Sequence, residues 1–125
     1  MAKLLIVDDE PENIELLTRR LTRRGFTVVS ALTADEGFAL AVAERPDVIL
    51  MDIKMPVIDG FEATRRLKAC DETKRIPVIA LTAHAMQEDR DVAVSAGADE
   101  YETKPVDLDL LLAKIAALIA RFQPA

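Results

Sequence analysis

The fold is decided by the stretch KLLIVDDEPEN, residues 3–13, in which an apolar run leads into a cluster of acids. Lys3 to Val7 has the composition of a buried strand, and Asp8, Asp9 and Glu10 follow at the point where that strand should end. Adjacent carboxylates repel one another, most strongly where water is scarce. We therefore expect a positively charged group among these acids.

Four further short runs recur along the chain, each separated from the next by enough residues for a helix. They are FTVVSAL (26–32), DVILM (47–51), PVIAL (77–81) and DEYET (99–103). Strands that alternate with helices predict an α/β fold with a parallel sheet and helices on both faces. The continuous apolar runs indicate strands covered on both sides, whereas the polar DEYET indicates a strand near an edge.

Helix signals fill the gaps between these runs. Pro11 suits the first position of a helix, and the pairs Thr33–Glu36 and Asp59–Glu62 have the spacing of capping boxes. The last predicted helix begins after Asp107 and has a broad apolar face. A helix predicted over residues 85–96 is polar nearly all round, so packing should hold it least firmly.

Composition narrows the classes of function. The chain has 125 residues, of which 50% are hydrophobic, enough for one domain over residues 1–125 with its own core. Its net charge of -6 argues against a nucleic acid or an anionic membrane as the partner. A single cysteine, Cys70, excludes an internal disulfide, and charges interrupt the apolar-rich segment 108–122. We expect a cytoplasmic protein whose partner is a protein or a small cation.

Four of the five predicted strands end beside a residue with a charged or reactive side chain. Asp8 and Asp9 follow the first strand, Asp52 the third, Thr82 the fourth and Lys104 the fifth. Ligands of an open parallel sheet bind outside the carboxyl ends of its strands, so we expect these side chains to share one pocket. Mg²⁺, or Mn²⁺ in its place, suits such a pocket because hard cations take oxygen ligands.

Phosphoryl transfer to a carboxylate is the chemistry that this pocket predicts. Asp52 is the candidate nucleophile, Lys104 would pair with the phosphoryl oxygens, and Thr82 would donate a hydrogen bond to one of them. A bound metal lowers the cost of adding a phosphoryl group to a negative site. Taken singly, these residues have plainer interpretations: Asp9 and Thr82 as turn residues and Lys104 as a surface lysine.

The motifs VDDE (7–10), LMDIKMPVIDG (50–60), ALTAHA (80–85) and KP (104–105) carry a family resemblance. With them, the chain resembles the receiver domains of two-component response regulators over essentially its whole length. The resemblance implies a flavodoxin-like fold, a doubly wound five-stranded parallel sheet in the order 2-1-3-4-5. It also implies that a sensor histidine kinase or a histidine phosphotransfer protein donates a phosphoryl group to Asp52.

The same resemblance implies roles for individual residues. Mg²⁺ would be bound by Asp9, Asp52 and the backbone carbonyl of Lys54, with Asp8 acting through water. Thr82 and Tyr101 would form a switch that responds to phosphorylation, and the peptide bond before Pro105 would be cis and place Lys104. The bare sequence, without the resemblance, favours Tyr101 as an ordinary aromatic residue at a sheet edge.

Two residues are predicted to modulate the lifetime of the phosphoryl group. Lys54 follows Asp52 by two residues and His84 follows Thr82 by two, so both should project from loops at the mouth of the pocket. The alternatives are a Lys54 that points into solvent near a kinase docking surface, and a His84 that is an ordinary solvated residue.

The end of the sequence, RFQPA, leaves no room for an output domain, which predicts a stand-alone receiver. We expect a signalling domain, not a turnover enzyme, that catalyses its own phosphorylation and dephosphorylation. It would act on a downstream protein, or relay phosphoryl, with neither nucleic acid nor membrane as a partner. The helix at 85–96, the fifth strand and the last helix form the expected output face, which is also the candidate homodimer interface.

Three other functions explain parts of the sequence. A phosphatase of the haloacid dehalogenase type would need a second acid two residues after Asp52, where the chain has Lys54. A flavin-binding electron carrier would need a glycine- and hydroxyl-rich loop after the first strand, and DDEPEN would repel that phosphate. A receiver that binds partners without phosphorylation would be expected to lack one of the acids, the threonine or the lysine.

Overall fold

A computed structural model describes residues 2–55, 58–82 and 94–122 of the chain. Its elements in chain order are β1 (Lys3–Val7), α1 (Pro11–Arg23), β2 (Thr27–Ala31), α2 (Ala34–Glu44), β3 (Val48–Asp52), α3 (Gly60–Ala69), β4 (Val78–Thr82), β5 (Glu100–Thr103) and α4 (Leu108–Phe122). Each of the five predicted strands agrees with an observed strand to within one residue at either end. Residues 94–96 are helical, and the rest of the helix predicted over 85–96 lies outside the described residues.

The five strands form one parallel sheet in the order β2-β1-β3-β4-β5. This order confirms the flavodoxin-like, doubly wound fold that the family resemblance implied. β5 lies at one edge of the described sheet, as its polar sequence predicted. The order in which successive strands are added to the sheet reverses between β1 and β3, and it is there that such folds place their ligands.

The sheet separates two hydrophobic cores, and the alternation of side chains along β1 shows why. Leu5 and Val7 pack on the side covered by α2 and α3, whereas Leu4 and Ile6 pack on the side covered by α1 and α4. All four are fully buried. The run KLLIV is apolar throughout because both faces of its strand are covered.

Two of the helices begin at the capping residues that the sequence predicted. The Oγ1 of Thr33 accepts a hydrogen bond from the Glu36 amide at 3.1 Å, and Oδ1 of Asp59 accepts one from the Glu62 amide at 2.9 Å. Each cap satisfies a backbone N–H that has no partner within its own helix, which typically stabilises a helix by about 1 kcal/mol. The cap at Asp59 also fixes the start of α3 at Gly60, eight residues after the last residue of β3.

Candidate functional site

The carboxyl ends of β1, β3, β4 and β5 bring their polar residues together. Asp8 follows β1 and is 1% exposed, and Asp52 ends β3 and is 5% exposed. The ladder of the sheet continues one residue beyond the strands, because the Asp8 amide donates to the Ala31 carbonyl at 3.1 Å and the Lys104 amide donates to the Thr82 carbonyl at 2.7 Å. The backbone of the site is therefore held as firmly as the sheet itself.

The ammonium of Lys104 lies between two carboxylates. Its Nζ is 3.1 Å from Oδ1 of Asp52 and 3.2 Å from Oδ2 of Asp8, and both contacts are hydrogen bonds. The peptide bond between Lys104 and Pro105 is cis. One cation thus serves two nearly buried anions, which leaves the group with an excess of negative charge.

The pKa values of Asp52 and Lys104 reflect the charges around them. Burial raises the pKa of Asp52, and the nearby charge of Asp8 raises it further, against the opposing effects of Lys104 and of a 3.4 Å hydrogen bond from the Lys54 amide. Burial disfavours the charged form of Lys104, but the carboxylates of Asp52 and Asp8 more than offset this and raise its pKa. Lys104 therefore stays protonated at neutral pH, while a second cation near Asp52 would favour the charged form of its carboxylate.

Three acids of the site could hold a metal ion. Asp8, Asp9 and Asp52 each offer one carboxylate oxygen, and these oxygens lie within 4.8 Å of one another. Oδ1 of Asp9 is buried and accepts no hydrogen bond from any residue that the structure describes. A buried carboxylate oxygen without a partner is costly, and a divalent cation that takes oxygen ligands would remove that cost. The acids present therefore fit a cation such as Mg²⁺.

Gly60 is a residue of the site that the sequence reasoning missed. Its amide donates to the Ile53 carbonyl at 2.9 Å, so the loop after β3 folds back onto the strand end that carries Asp52. A Cβ at position 60 would lie 2.7 Å from the Cα of Ile53 and would overlap the Asp52 carbonyl. The dipeptide Asp59–Gly60 suggested only a helix start, although a glycine directly after a cap is also a signal of close backbone approach.

The proposed switch residues lie beside this cluster. Thr82 ends β4, is buried, and pairs with Thr103 in the register of β4 and β5. Tyr101 is half-buried on β5 and packs against a small apolar cluster that includes Ile53 and Ala80. Lys54 is exposed just beyond Asp52. His84 lies outside the described residues.

A groove adjoins the site between α1 and the connection from β5 to α4. Its volume is about 190 Å³. It is lined by Asp8, Asn13, Leu16, Leu17, Arg20, Lys104, Pro105 and Val106. Leu16 is 48% exposed at its rim. The groove therefore offers an apolar surface to a partner right beside two charged members of the site.

A sequence model of the response regulator receiver domain family matches residues 4–116. The chain belongs to this family. Receiver domains are phosphoacceptor signalling domains, and response regulators interact with histidine kinases and downstream targets. Membership in this family argues against two of the alternative functions, the phosphatase of the haloacid dehalogenase type and the flavin-binding electron carrier.

Individual receiver proteins resemble the chain along nearly all of its length. Protein PilH of Pseudomonas aeruginosa is 46% identical over 120 residues, which cover 96% of this chain and 99% of PilH. The transcriptional regulator RpaA of Synechocystis is 39% identical over 97% of this chain but only 50% of its own length. PleD of Caulobacter vibrioides is 38% identical over 94% of this chain, which corresponds to 26% of the length of PleD. The chain thus spans half or less of several curated relatives.

Solved structures of receiver domains have the same architecture. The receiver domain of the sensor histidine kinase PA1611 from Pseudomonas aeruginosa superposes with a TM-score of 0.87 at 34% identity, covering 95% of this chain and 98% of that one. That structure has a magnesium ion coordinated in its active site cleft. A response regulator from Chloroflexus aurantiacus gives a TM-score of 0.90 at 29% identity, with coverage of 95% and 98%. In the part of this chain that the structure describes, no helix is long and apolar enough to cross a membrane.

Proposed function

We propose that Asp52 accepts a phosphoryl group from a histidine of a sensor kinase or phosphotransfer protein, and that the receiver itself catalyses this transfer and the later hydrolysis. The observation that carries the proposal is the Lys104 ammonium, held 3.1 Å from Asp52 and 3.2 Å from Asp8 at the end of the sheet. A cation in this position can turn from the carboxylates to the incoming phosphoryl oxygens.

The transfer needs only one nucleophile. A carboxylate oxygen of Asp52 forms a bond to phosphorus while the bond between phosphorus and the donor's imidazole nitrogen breaks, and that electron pair leaves with the imidazole. Lys104 pairs with the phosphoryl oxygens that gain charge, and the buried Thr82 at the end of β4 donates a hydrogen bond to one of them. Phosphoryl transfer depends mainly on position and charge, which these residues supply without a general base.

A divalent cation completes the proposed site. Asp9 and Asp52, with the backbone carbonyl of Lys54, would bind it directly, and Asp8 would act through water. Mg²⁺, or Mn²⁺ in its place, supplies positive charge for the phosphoryl oxygens when it is bound. The buried oxygen of Asp9 that lacks a hydrogen bond from the described residues supports this assignment.

The groove beside the site is the proposed approach for the histidine-bearing partner. It places exposed Leu16 and buried Leu17 of α1 next to Lys104, so a partner that covers the groove would bring its histidine close to Asp52. A Leu16→Asp variant should lose transfer from the protein donor but keep labelling by a small phosphodonor, which needs no groove. Equal losses with both donors would contradict this docking surface.

Phosphorylation at Asp52 is then read out elsewhere. We propose that Thr82 turns toward the phosphoryl group and that Tyr101 moves inward in response. The downstream protein would bind the face formed by the helix predicted over 85–96, β5 and α4, which is also the proposed homodimer face. In this proposal, phosphorylation and partner binding take place in the cytoplasm. Lys54 and His84 modulate the lifetime of the phosphoryl group.

Intact mass after incubation with acetyl phosphate and Mg²⁺ tests the proposed function. We expect one added phosphoryl group that hydroxylamine removes, because an acyl phosphate is far more reactive than a phosphoester. Asp52→Asn should abolish the addition and chelation of the metal should suppress it. Full labelling of Asp52→Asn would disprove the assignment, and unchanged labelling after chelation would disprove the role of the metal.

A further inference from the structure

The strand that delivers Lys104 to the site has only β4 beside it in the described sheet. Alternate residues of a strand direct their backbone groups to opposite sides. Because the Lys104 amide donates to Thr82 on β4, the backbone groups of Tyr101 and Thr103 point toward the free edge. An edge strand of four residues is weakly held unless other groups bind that second side.

Side chains bind the free edge of β5 in place of a further strand. Oε1 of Glu100 accepts the Tyr101 amide at 3.0 Å, and Oε1 of Glu102 accepts the Thr103 amide at 3.2 Å. The Tyr101 carbonyl accepts a hydrogen bond from Nζ of Lys114, on α4, at 2.6 Å. Two acids of β5 and one lysine of α4 thus fix the backbone between the switch tyrosine and Lys104.

Glu102 and Lys114 also form an ion pair, although Oε2 of Glu102 makes no hydrogen bond within the described residues. Glu102 is 4% exposed, and its Oε2 lies 3.1 Å from Nζ of Lys114, whose side chain is 21% exposed. Glu100 lies farther from the same ammonium, at 3.8 Å. A carboxylate at this depth needs a cation beside it, and Lys114 supplies one while it ties α4 to β5.

We propose that Glu102 and Lys114 are positioning residues for phosphoryl transfer, which hold the end of β5 so that the Lys104 ammonium stays between Asp8 and Asp52. Only Thr103 separates Glu102 from Lys104, and its amide is bound by the Glu102 carboxylate. A shift of β5 would therefore move Lys104 directly. The inference rests on the proposed function, since it assigns these residues to the work of Lys104.

Removing one partner should disturb the site more than removing both. Lys114→Met leaves a buried carboxylate without its cation and removes this donor from the Tyr101 carbonyl, so β5 must move or Glu102 must take up a proton. The double variant Glu102→Leu with Lys114→Met leaves no uncompensated charge, and apolar replacement of a buried pair is often tolerated. A matched control is Lys74→Met, which breaks an exposed pair with Asp71 at 3.0 Å, far from β5 in the chain.

The test compares the parent, these three variants and Glu102→Gln by two measurements. The first is the rate of labelling by acetyl phosphate with Mg²⁺, and the second is the NMR signal of the Lys104 side chain in protein carrying ¹³C-labelled lysine. Lys114→Met should label roughly tenfold more slowly and shift the Lys104 signal, since small misplacements of catalytic groups cost rates of this order. The double variant should label faster than Lys114→Met, because no buried charge is left without a partner, but more slowly than the parent, because it lacks both side chains that bind the backbone of β5. Lys74→Met should match the parent.

The proposal is overturned if Lys114→Met labels at the parental rate with an unchanged Lys104 signal. Should Lys114→Met fail to fold, the double variant decides, because it leaves no buried charge alone yet lacks both bonds to β5; a parental rate and Lys104 signal there also overturns the proposal. Glu102→Gln keeps an acceptor for the Thr103 amide and should label faster than the double variant, and an equally slow rate would contradict the role of that hydrogen bond. Failure of the proposed function looks different, since Asp52→Asn would then still be labelled. Labelling that depends on Asp52 but not on Lys114 would reject the positioning role alone.

Discussion

A lysine pairs with aspartate at each end of the sheet, but only at one end do the charges of this described group balance. At the amino end of β4, Oδ2 of Asp99 accepts hydrogen bonds from Nζ of Lys68 at 2.7 Å and from the Val78 amide at 2.9 Å. Lys68 also donates to the Ile76 carbonyl at 2.9 Å. Asp99 is matched there by Lys68 and, at 3.9 Å, by Arg121, and the pair of Lys68 and Asp99 joins α3 to the start of both β4 and β5.

At the carboxyl end the balance is different. Lys104 is shared by Asp8 and Asp52, and Oδ1 of Asp9 accepts no hydrogen bond from the described residues. The pKa of Asp52 is raised by burial and by Asp8, which means that the fold disfavours its charged form. A polar network in which every group has a partner stabilises the fold, whereas one with an unpartnered group indicates a candidate ligand-binding site.

Removal of one charge from each end of the sheet should have the largest effect. Asp52→Asn should lose all labelling yet unfold at higher urea without metal, because a disfavoured buried charge is gone. Asp99→Asn should keep labelling but lose about 3 kcal/mol of unfolding free energy, since Lys68 is left without its anion. Urea unfolding in EDTA, with intact mass after acetyl phosphate, measures both. If Asp52→Asn is the less stable variant of the two, the distinction between the ends is wrong.

The pH dependence of that difference follows from the direction of the Asp52 pKa. An acid whose pKa is raised by folding costs stability above its folded-state pKa, and the cost disappears as pH falls below the unfolded value near 3.8. The advantage of Asp52→Asn over the parent should therefore be full above the folded-state pKa of Asp52 and shrink as the solution is acidified toward pH 3.8. Lys104 contributes the opposite way, because its raised pKa stabilises the fold up to its ordinary value of 10.5 and the stabilisation is lost above that.

Metal binding should complete the carboxyl end and leave the amino end unchanged. Mg²⁺ at a hundred times its dissociation constant should stabilise the parent by about 2.7 kcal/mol, because only the folded chain brings the three acids together. Asp99→Asn should gain the same amount, and Asp9→Asn should gain far less. Thermal unfolding with and without Mg²⁺ gives these values, and equal gains by the parent and Asp9→Asn would show that the cation binds elsewhere.

The strands could be predicted from the sequence because burial on both faces demands continuous apolar runs such as Leu4 to Val7. The strand order could not, since nothing in local periodicity says which strand lies beside which, and it came from the family resemblance. At the site, the positions of Asp8, Asp52 and Lys104 followed from their places after strands. That Asp9 has a buried oxygen without a hydrogen bond from the described residues depends on three-dimensional packing.

The side-chain contacts of the edge strand β5 could not be predicted from the sequence. DEYET was correctly assigned to an edge because it is polar, yet Glu102 within it is nearly buried. Its partner Lys114 lies on the last helix, whose apolar residues dominated the prediction. Glu102 binds the neighbouring backbone amide and a lysine of another element, and such contacts leave no periodic signal in a sequence. The sequence therefore predicted no role for Glu102 or Lys114.

At the carboxyl end, two variants should separate the phosphorylation of Asp52 from the structural response of β5, with a smaller effect. Thr82→Ala and Tyr101→Ala should still accept phosphoryl at Asp52, but we expect them to lose about 2 kcal/mol of coupling between phosphorylation and β5, within the usual range for linked sites. Amide hydrogen exchange of β5 and α4, measured with and without phosphorylation, reports this coupling. A parental change in exchange in both variants would mean that the switch lies in other residues.

The smallest expected effect concerns how long the phosphoryl group lasts, and it tests whether the site's surroundings matter as well as its charges. Lys54 is exposed two residues beyond Asp52. Water must approach in line with the bond to phosphorus, and we expect the Lys54 side chain to lie across that path. A lysine along the phosphoryl oxygens would crowd that approach and offer no acceptor to orient the water. We expect Lys54→Asn, which supplies a compact amide, to hydrolyse roughly tenfold faster, equivalent to about 1.4 kcal/mol in barrier. Decay of the phosphorylated form after removal of the donor, at constant Mg²⁺, measures this, with Lys74→Met as the control for loss of a surface charge. Equal decay of the parent and Lys54→Asn would mean that Lys54 points into solvent and leaves hydrolysis to the acids, Thr82 and Lys104.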